Sequence, residues 1–350
     1  MFIIKDITYS VEDLKTACLK PLDKEALEDW EYNFWNFINQ WFKASEESIE
    51  IKTSGSTGVP KKISHRKEYM IASAQMTCDF FKLNKTKTAL LCITITSVGG
   101  MMMIVRSLVS GMNLIIQKPS SNPLFNLNQK IDFVAMVPLQ VQKSLAESKT
   151  KWSLVKEVII GGGKVSDSLE KILIQNNITA YNTFGMTETI SHVALKKMGS
   201  NQIFKGLKSC SFTVNENNCL IINAPLIGVK NLQTNDIVNR IDSTQFDWLG
   251  RMDNAIETGG IKVLPEKLEE KIAHLISTRF FLSSVSDKLL NNKLILLIEG
   301  VQTDFSLLDL NEYLSKYERP KAVYFLESFN ETNSGKFSRK LTMEKFINKN

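Results

Sequence analysis

Four short segments of this sequence carry residue types that suit chemistry better than packing. The first runs from Lys52 to Lys62 and places Thr53, Ser54, Gly55, Ser56, Thr57 and Gly58 in succession before Val59, Pro60 and Lys61. Glycines let backbone N–H groups turn toward phosphate oxygens, hydroxyls add donors, and Lys61 adds charge. It is not a Walker loop, because two residues rather than four separate its glycines and Lys61 follows proline. The second segment, Tyr181-Asn182-Thr183-Phe184-Gly185-Met186-Thr187-Glu188-Thr189, follows a strand pattern, and strand ends are where ligands of α/β sheets sit. A threonine hydroxyl beside a carboxylate can hold an α-phosphate and Mg²⁺ together. Upstream, Ile160-Gly161-Gly162-Gly163 closes another strand and would let a flat ring lie against the backbone. The third comprises Leu232-Gln233-Thr234-Asn235-Asp236, Trp248-Leu249-Gly250-Arg251-Met252-Asp253-Asn254 and Thr258-Gly259-Gly260-Ile261-Lys262. The fourth is Asn333-Ser334-Gly335-Lys336-Phe337-Ser338-Arg339. Each alone is compatible with an ordinary turn or cap.

Elements must position these segments. Trp30, Phe34, Phe37, Ile38 and Trp41 recur at three- and four-residue spacing, which predicts helix within residues 11–48. Strand patterns at 88–95, 113–117, 133–137, 157–160 and 179–183 alternate with helical ones at 99–109, 140–146 and 168–175. Such alternation argues for a parallel sheet covered on both faces. Between about 212 and 249 the pattern changes to short strands with turns, at 212–214, 219–222 and 237–241. A helix at 265–276, a strand at 294–298 and a helix at 307–317 form a second alternation, with a boundary near Arg251–Asn254. The expected class is α/β: a large N-terminal domain, 1–252, with mostly parallel sheets flanked by helices and a small β-rich section, then a small α+β C-terminal domain, 253–350.

The composition of the 350 residues, 43% hydrophobic and 23% charged, is that of an ordinary folded protein of about two domains. Lys and Arg total 43 against 37 Asp and Glu, a net charge of +6. That excess suits anionic small molecules, and no dense basic cluster marks a nucleic-acid groove. The five cysteines are odd in number, scattered and never spaced CxxC, which argues against a disulfide framework or a zinc ribbon. Three histidines without HExxH argue against a catalytic zinc. The run from Met1 turns acidic at Asp6, too soon for a signal peptide. The apolar stretch Val98 to Val105 stops at Arg106, too short to span a bilayer. A soluble, cytoplasmic protein with neither nucleic-acid partner nor membrane insertion is expected; the sequence sets no oligomeric state.

All four segments occur in one chain and in one order, and in this the sequence resembles the adenylate-forming (AMP-binding) superfamily of acyl-CoA synthetases and adenylation domains. The matching stretches are 53–61, 181–188, 234–236, 250–265 and 335–336. Gly185 to His192, Thr234 to Val238 and Asp253 to Lys262 make it most similar to the o-succinylbenzoate–CoA ligase family of menaquinone biosynthesis, in its short bacterial form. The resemblance implies an AMP-forming acid–thiol ligase using ATP, Mg²⁺ and CoA, with the C-terminal domain as a mobile lid. Thr53, Ser54, Gly55, Ser56, Thr57, Gly58 and Lys61 would cradle the ATP phosphates. Gly161, Gly162 and Gly163 with Tyr181, Asn182, Thr183, Phe184 and Gly185 would line the adenine slot. Three residues would be catalytic: Thr187 at the α-phosphate, Glu188 on Mg²⁺, and Lys336 bridging the substrate carboxylate and the α-phosphate. Asp236, with two acceptor oxygens, would take the ribose hydroxyls. Arg251 would contact the nucleotide, Asp253 would be the hinge, and Gly259 and Gly260 would border the tunnel for the pantetheine arm.

The sequence departs from the family in places. Only about 50 residues precede the hydroxyl-rich loop, so much of the usual first subdomain is expected to be missing or reduced. Cys92 to Gly100 lacks the usual Pro and aromatic-His pattern, which bears on the shape of the acyl pocket. Asn235 stands where Gly is common, and Glu257 where Lys or Asn is common. Arg106 interrupts the apolar run Gly100 to Leu108. It either sits on a polar face or meets an anion, because a buried guanidinium needs one. An aromatic dicarboxylate would supply that anion, with Ser191 and His192 bordering the same pocket. The alternatives are another aryl- or acyl-CoA ligase, a free-standing adenylation enzyme loading a carrier protein, and a catalytically silent nucleotide-binding relative.

Overall fold

Strands buried on both faces read as continuous apolar runs, and parallel neighbours need helical crossovers. Both features organise the chain up to residue 211 in the computed structural model, which describes residues 1–17, 22–52, 62–200, 203–287, 289–302, 305–331 and 337–349. Two compact units form: Met1–Val165 with Leu169–Ser211 and Ile222–Asn231, and Ser166–Ser168 with Phe212–Ile221 and Leu232–Asn350.

The chain begins with β1 (Phe2–Ile4), β2 (Ile7–Tyr9), α1 (Val11–Ala17) and α2 (Asp29–Phe42). The antiparallel pair β3 (Ser48–Lys52) and β4 (Lys62–Arg66) follows, then α3 (Lys67–Phe81), β5 (Thr88–Leu91), α4 (Val98–Ser110) and β6 (Asn113–Ile116). Next come β7 (Ile131–Met136), α5 (Pro138–Glu147), β8 (Val155–Ile160), α6 (Asp167–Gln175), β9 (Ala180–Gly185), β10 (His192–Lys197) and β11 (Phe204–Gly206). Within the first unit the sheet order is β11-β10-β9-β8-β7-β5-β6-β1-β2. From β9 to β1 each neighbouring pair is parallel, and β10, β11 and β2 add antiparallel margins. Leu90, Val134, Met136, Val158 and Ile160 from the central strands pack with Trp152, Leu169 and Leu173.

Beyond residue 211 run β12 (Ser211–Val214), β13 (Cys219–Ala224), β14 (Val229–Arg240), β15 (Gln245–Arg251), β16 (Ile256–Thr258) and β17 (Ile261–Val263). Then follow α7 (Pro265–Ile272), β18 (Phe280–Asp287), β19 (Asn291–Glu299), β20 (Ala322–Leu326) and α8 (Arg339–Lys349). In the second unit β18, β19 and β20 form a sheet with two covered faces, since alternate residues of a strand point oppositely. Leu294, Leu296 and Ile298 pack with Leu268, Ile272 and Leu310, while Ile295 and Leu297 pack with Phe281, Phe329 and Phe346. The architecture is the expected α/β class, a large mixed sheet flanked by helices with smaller sheets toward the C-terminus.

Three elements differ from expectation. The helix read over 11–48 is two helices, α1 and α2, with a turn before α2 in which Asp23 Oδ1 accepts from Glu25 N–H at 2.9 Å. The strand read over 88–95 ends at Leu91, where the chain turns so that Ser97 can cap α4, its Oγ accepting from Gly100 N–H at 3.3 Å. The helix read over 307–317 is a 3₁₀ turn, Leu307–Glu312. Arg319 donates to the carbonyls of Leu314 (2.9 Å) and Asn311 (3.1 Å), which a longer α-helix would have used itself.

Candidate active site

The hydroxyl-rich loop (Thr53, Ser54, Gly55, Ser56, Thr57, Gly58, Lys61) and Lys336 lie outside the described residues. The strands flanking that loop are described, with Ile49 and Ile51 buried and the pairing running from Ser48 opposite Arg66 to Lys52 opposite Lys62. One residue on β4, His65, reaches across the first unit: its Nε2 lies 2.7 Å from the Thr187 carbonyl oxygen. Burial lowers the proton affinity of His65, against the opposing pull of the Thr187 carbonyl and the Glu188 charge.

β8 and β9 are parallel neighbours, so Gly161–Gly163 and the turn after Gly185 leave the same edge of the sheet. Asn182, Thr183 and Phe184 precede that turn on β9. Gly161 is glycine for a steric reason. A Cβ there would overlap Thr183 Oγ1, which donates to the Ile160 carbonyl at 3.2 Å. Gly162 has a φ of +78°, which favours glycine. A Cβ at Gly185 would overlap the Ser191 carbonyl, because β10 crosses it closely.

The turn between β9 and β10 is tightly tied. Thr187–Thr189 forms one 3₁₀ turn. The buried Thr189 hydroxyl receives Met186 N–H at 3.0 Å and faces the carbonyls of Ser191 (2.7 Å) and Met186 (3.0 Å). Ile190 then takes φ +65° and ψ −54°, with Ser191 N–H donating to the Thr189 carbonyl at 2.6 Å. This is a γ-turn of the rare positive-φ hand, unfavourable for a β-branched residue and costing on the order of 1–3 kcal/mol. The strain reverses the chain so that Glu188 stays exposed while Ser191 and His192 turn inward. A Thr187 hydroxyl and an open Glu188 carboxylate are hard oxygen donors. They fit Mg²⁺, which takes few protein carboxylates and keeps water or phosphate oxygens. Among the described residues no group of three or more His, Cys, Asp or Glu could hold a metal by itself.

Inward of that turn lies a buried polar chain. Arg106 is 1% exposed, so it does not sit on a polar face. Its Nη2 donates to Ser191 Oγ at 2.8 Å, while its buried Nε has no hydrogen-bond partner. Among the described residues no carboxylate pairs with it, and burial pushes the guanidinium down to about 10. Ser191 Oγ lies 3.4 Å from His192 Nδ1, and His192 Nε2 lies 3.2 Å from Thr77 Oγ1. Burial, then the Arg106 charge, holds His192 well below its ordinary range, so the ring is neutral at pH 7.

In the second unit, Asp236 on β14 stands opposite Arg251 on β15. Asp236 Oδ1 accepts from Trp248 Nε1 at 2.9 Å, and Oδ2 lies 3.8 Å from Arg251 Nη1. Burial raises the Asp236 carboxyl above its ordinary value, opposed by Trp248 and Arg251. Asp253 is held from two sides, by Arg251 Nη2 at 2.6 Å and Asn235 Nδ2 at 2.7 Å. Gly259 (φ +57°) and Gly260 (φ +79°) are the two-residue turn joining β16 to β17, a geometry that favours glycine at both positions. A Cβ on Gly260 would meet nothing within 4 Å.

His65, Thr77, Thr189 and Trp248 belong to these clusters without having stood out in the sequence. For His65 and Thr77 no local signal exists, as their partners lie 122 and 115 residues away. Thr189 and Trp248 sat inside the quoted motifs and carried no expected role.

Residues 7–225 match the family described as AMP-binding enzyme. The 2-succinylbenzoate–CoA ligase of Haemophilus influenzae is 26% identical over 325 residues, covering 87% of this chain and 68% of that protein. The structure of the acyl-CoA synthetase (AMP-forming)/AMP-acid ligase II-like protein of Dyadobacter fermentans is 31% identical. It covers 95% of this chain and 98% of that one with a TM-score of 0.62. The O-succinylbenzoate coenzyme A synthetase of Bacillus subtilis, solved with ATP and magnesium ion, aligns with a TM-score of 0.74 over 91% of this chain and 78% of its own. At 18% identity that likeness is one of fold.

Proposed function

This chain belongs to the AMP-binding enzyme family, and from that premise we propose that it is an ATP-dependent acid–thiol ligase of menaquinone biosynthesis. It activates o-succinylbenzoate as an acyl-adenylate, releasing pyrophosphate, and transfers the acyl group to CoA, releasing AMP. The observation that carries the choice of acid is Arg106, a buried guanidinium whose Nε has no hydrogen-bond partner and which has no carboxylate partner among the described residues. A diacid uses one carboxylate for the reaction and offers the other to this charge.

A carboxylate is a poor electrophile, and the first step brings it to an anionic phosphate, so positioning and charge neutralisation dominate. The hydroxyl-rich loop with Lys61 holds the phosphates, Thr187 the α-phosphate, and Lys336 the carboxylate against it. Glu188 would hold Mg²⁺, which when bound would supply the remaining positive charge beside the phosphates. Gly161–Gly163 and Asn182–Gly185 take the adenine, and Asp236 and Arg251 the ribose and nucleotide. In the second step Lys336 withdraws and Gly259 and Gly260 admit the thiol, a change of lid position about Asp253. The functional division is a substrate domain, 1–252, and a lid, 253–350. Among the described residues no helix is long and apolar enough to cross a membrane, and Cys78, Cys92, Cys210 and Cys219 are free thiols, which supports a cytoplasmic location.

Arg106→Leu tests the choice of acid. An anchor felt equally in ground and transition states appears in KM rather than kcat. KM for o-succinylbenzoate should rise roughly tenfold to a hundredfold, the scale of a hydrogen bond to a charged group, with KM for ATP unchanged. An unchanged KM in a folded variant removes the dicarboxylate assignment.

A further inference from the structure

The buried chain that ends on Arg106 has a direction, and the direction is set at its far end. The Thr77 hydroxyl owns one proton and lies 3.3 Å from the Ser73 carbonyl and 3.2 Å from His192 Nε2; the carbonyl can only accept, which suits it to that proton. With that proton on Ser73, what Thr77 offers His192 at 3.2 Å is a lone pair, and His192 Nε2 carries the proton. A neutral imidazole has only one, which leaves Nδ1 bare, facing Ser191 Oγ at 3.4 Å. The Ser191 proton then goes to Nδ1, and its oxygen is left to accept from Arg106 Nη2 at 2.8 Å. Arg106 can only donate, so the chain closes without conflict.

From this geometry we infer that Thr77 is a positioning residue for substrate selection: acting through His192 and Ser191, it fixes Arg106 to receive the second carboxylate of an aromatic dicarboxylate. In the other tautomer, Nδ1–H would donate to the Ser191 oxygen beside Arg106 Nη2, and the Ser191 hydroxyl proton would lose its acceptor and its fixed orientation. The Nη2 contact would then rest on a hydroxyl with no fixed rotamer, while the partnerless Nε remains a donor that an incoming carboxylate could satisfy. The buried Cys78 thiol, which faces the Arg106 backbone carbonyl at 3.7 Å, offers no competing fixed anion because burial pushes it up to about 11. The inference rests on the o-succinylbenzoate reading and adds to it a residue on α3 that touches no substrate.

The test compares wild type with Thr77→Val and Thr77→Ser. Each is assayed with o-succinylbenzoate and with the analogue lacking the carboxylate that does not react. Thr77→Val keeps shape and removes the lone pair, so KM for the diacid should rise roughly threefold to tenfold, the worth of one neutral hydrogen bond. The KM values for the analogue and ATP, and kcat, should stay within about twofold. Thr77→Ser should restore the wild-type KM. Nitrogen NMR of His192 should show Nε2–H with a bare Nδ1 in wild type, and this reading stands even if Thr77→Val fails to fold. The opposite tautomer, or loss spread equally over diacid, analogue and ATP, overturns the inference. Wild-type turnover separates the two readings. If wild type ignores o-succinylbenzoate, the functional reading falls and the carboxylate device with it; if it turns over the diacid and Thr77→Val is unaltered, the relay alone is wrong.

Discussion

His65 Nε2 lies 2.7 Å from the carbonyl oxygen of Thr187, across 122 residues of sequence. A carbonyl can only accept, so in the neutral ring it is Nε2 that carries the proton. The contact ties β4, the strand that leaves the hydroxyl-rich loop, to the turn bearing Thr187 and Glu188. The strand that follows one segment proposed to hold the phosphates is thereby fixed, by a single imidazole, to the turn proposed to hold them from the other side.

Removing that tie should weaken adenylate formation without unfolding the protein. His65→Ala should slow o-succinylbenzoate-dependent ATP–pyrophosphate exchange by roughly threefold to tenfold, the worth of one hydrogen bond. His65→Gln, which can still donate, should lose less. Equal rates in all three proteins would show that the tie has no bearing on the phosphates.

Lys336→Ala should nearly abolish adenylation, by about 10²–10³ for one well-placed charge donor. CoA transfer from supplied acyl-adenylate should survive, because on the proposed mechanism that step uses the other lid position. Equal loss in both half-reactions would refute the division of labour.

Stability should fall in mild acid. His65 and His192 both have folded-state proton affinities below the ordinary value, His192 far below. Above about pH 6.5 both rings are neutral whether folded or not, and they add no pH dependence. As pH drops from there toward the folded values, the unfolded chain takes up protons that the folded one refuses. Each histidine then removes up to about 1.4 kcal/mol per pH unit. Urea midpoints at pH 7.5 and 5.5 measure this, and His192→Gln should flatten the slope; an equally steep slope in that variant would assign the loss elsewhere.

The second unit depends on Glu269. Its carboxylate receives Arg339 through Nη1 at 2.7 Å and Nη2 at 2.6 Å, and also Leu282 N–H at 2.8 Å. Glu269→Ala leaves the Leu282 N–H without its acceptor and the Arg339 guanidinium with the Leu282 carbonyl at 3.2 Å in place of a carboxylate, beside Phe281. Breaking a buried pair costs about 3–5 kcal/mol, and the 21% side-chain exposure of Arg339 points to the lower end. The unfolding transition of this unit should shift to lower urea by that amount, and an unshifted transition would show the pair to be dispensable.

The alternating strands and helices between residues 88 and 185 were legible because a doubly covered parallel sheet writes itself as apolar runs, as in Leu90 to Cys92 and Val158 to Ile160, whereas the short strands β1 to β4 before them were not. Helix α3 was not legible. Its buried face is made of Ser73, Ala74, Thr77 and Cys78 beside Met70 and Phe81, so small and polar residues mute the helical period. Helix α8 fails for a related reason, since Arg339, Lys340, Lys345 and Lys349 swamp a stripe resting on Phe346. The site motifs were legible as local chemistry, and Arg106 as a charge out of place. What holds them was not. Thr77 with His192 and His65 with Thr187 are contacts made by the fold, and a lone Thr or His gives no sign of a partner more than a hundred residues away.

The central claim is that this chain joins o-succinylbenzoate to CoA through an adenylate. The direct measurement incubates the purified protein with ATP, Mg²⁺, CoA and a panel of carboxylic acids, scoring AMP and thioester for each. The account predicts stoichiometric AMP and o-succinylbenzoyl-CoA from o-succinylbenzoate, weak turnover of analogues lacking the second carboxylate, and no AMP without acid. Equal or better turnover of monocarboxylates, AMP formation indifferent to CoA, or no AMP with any acid would contradict it.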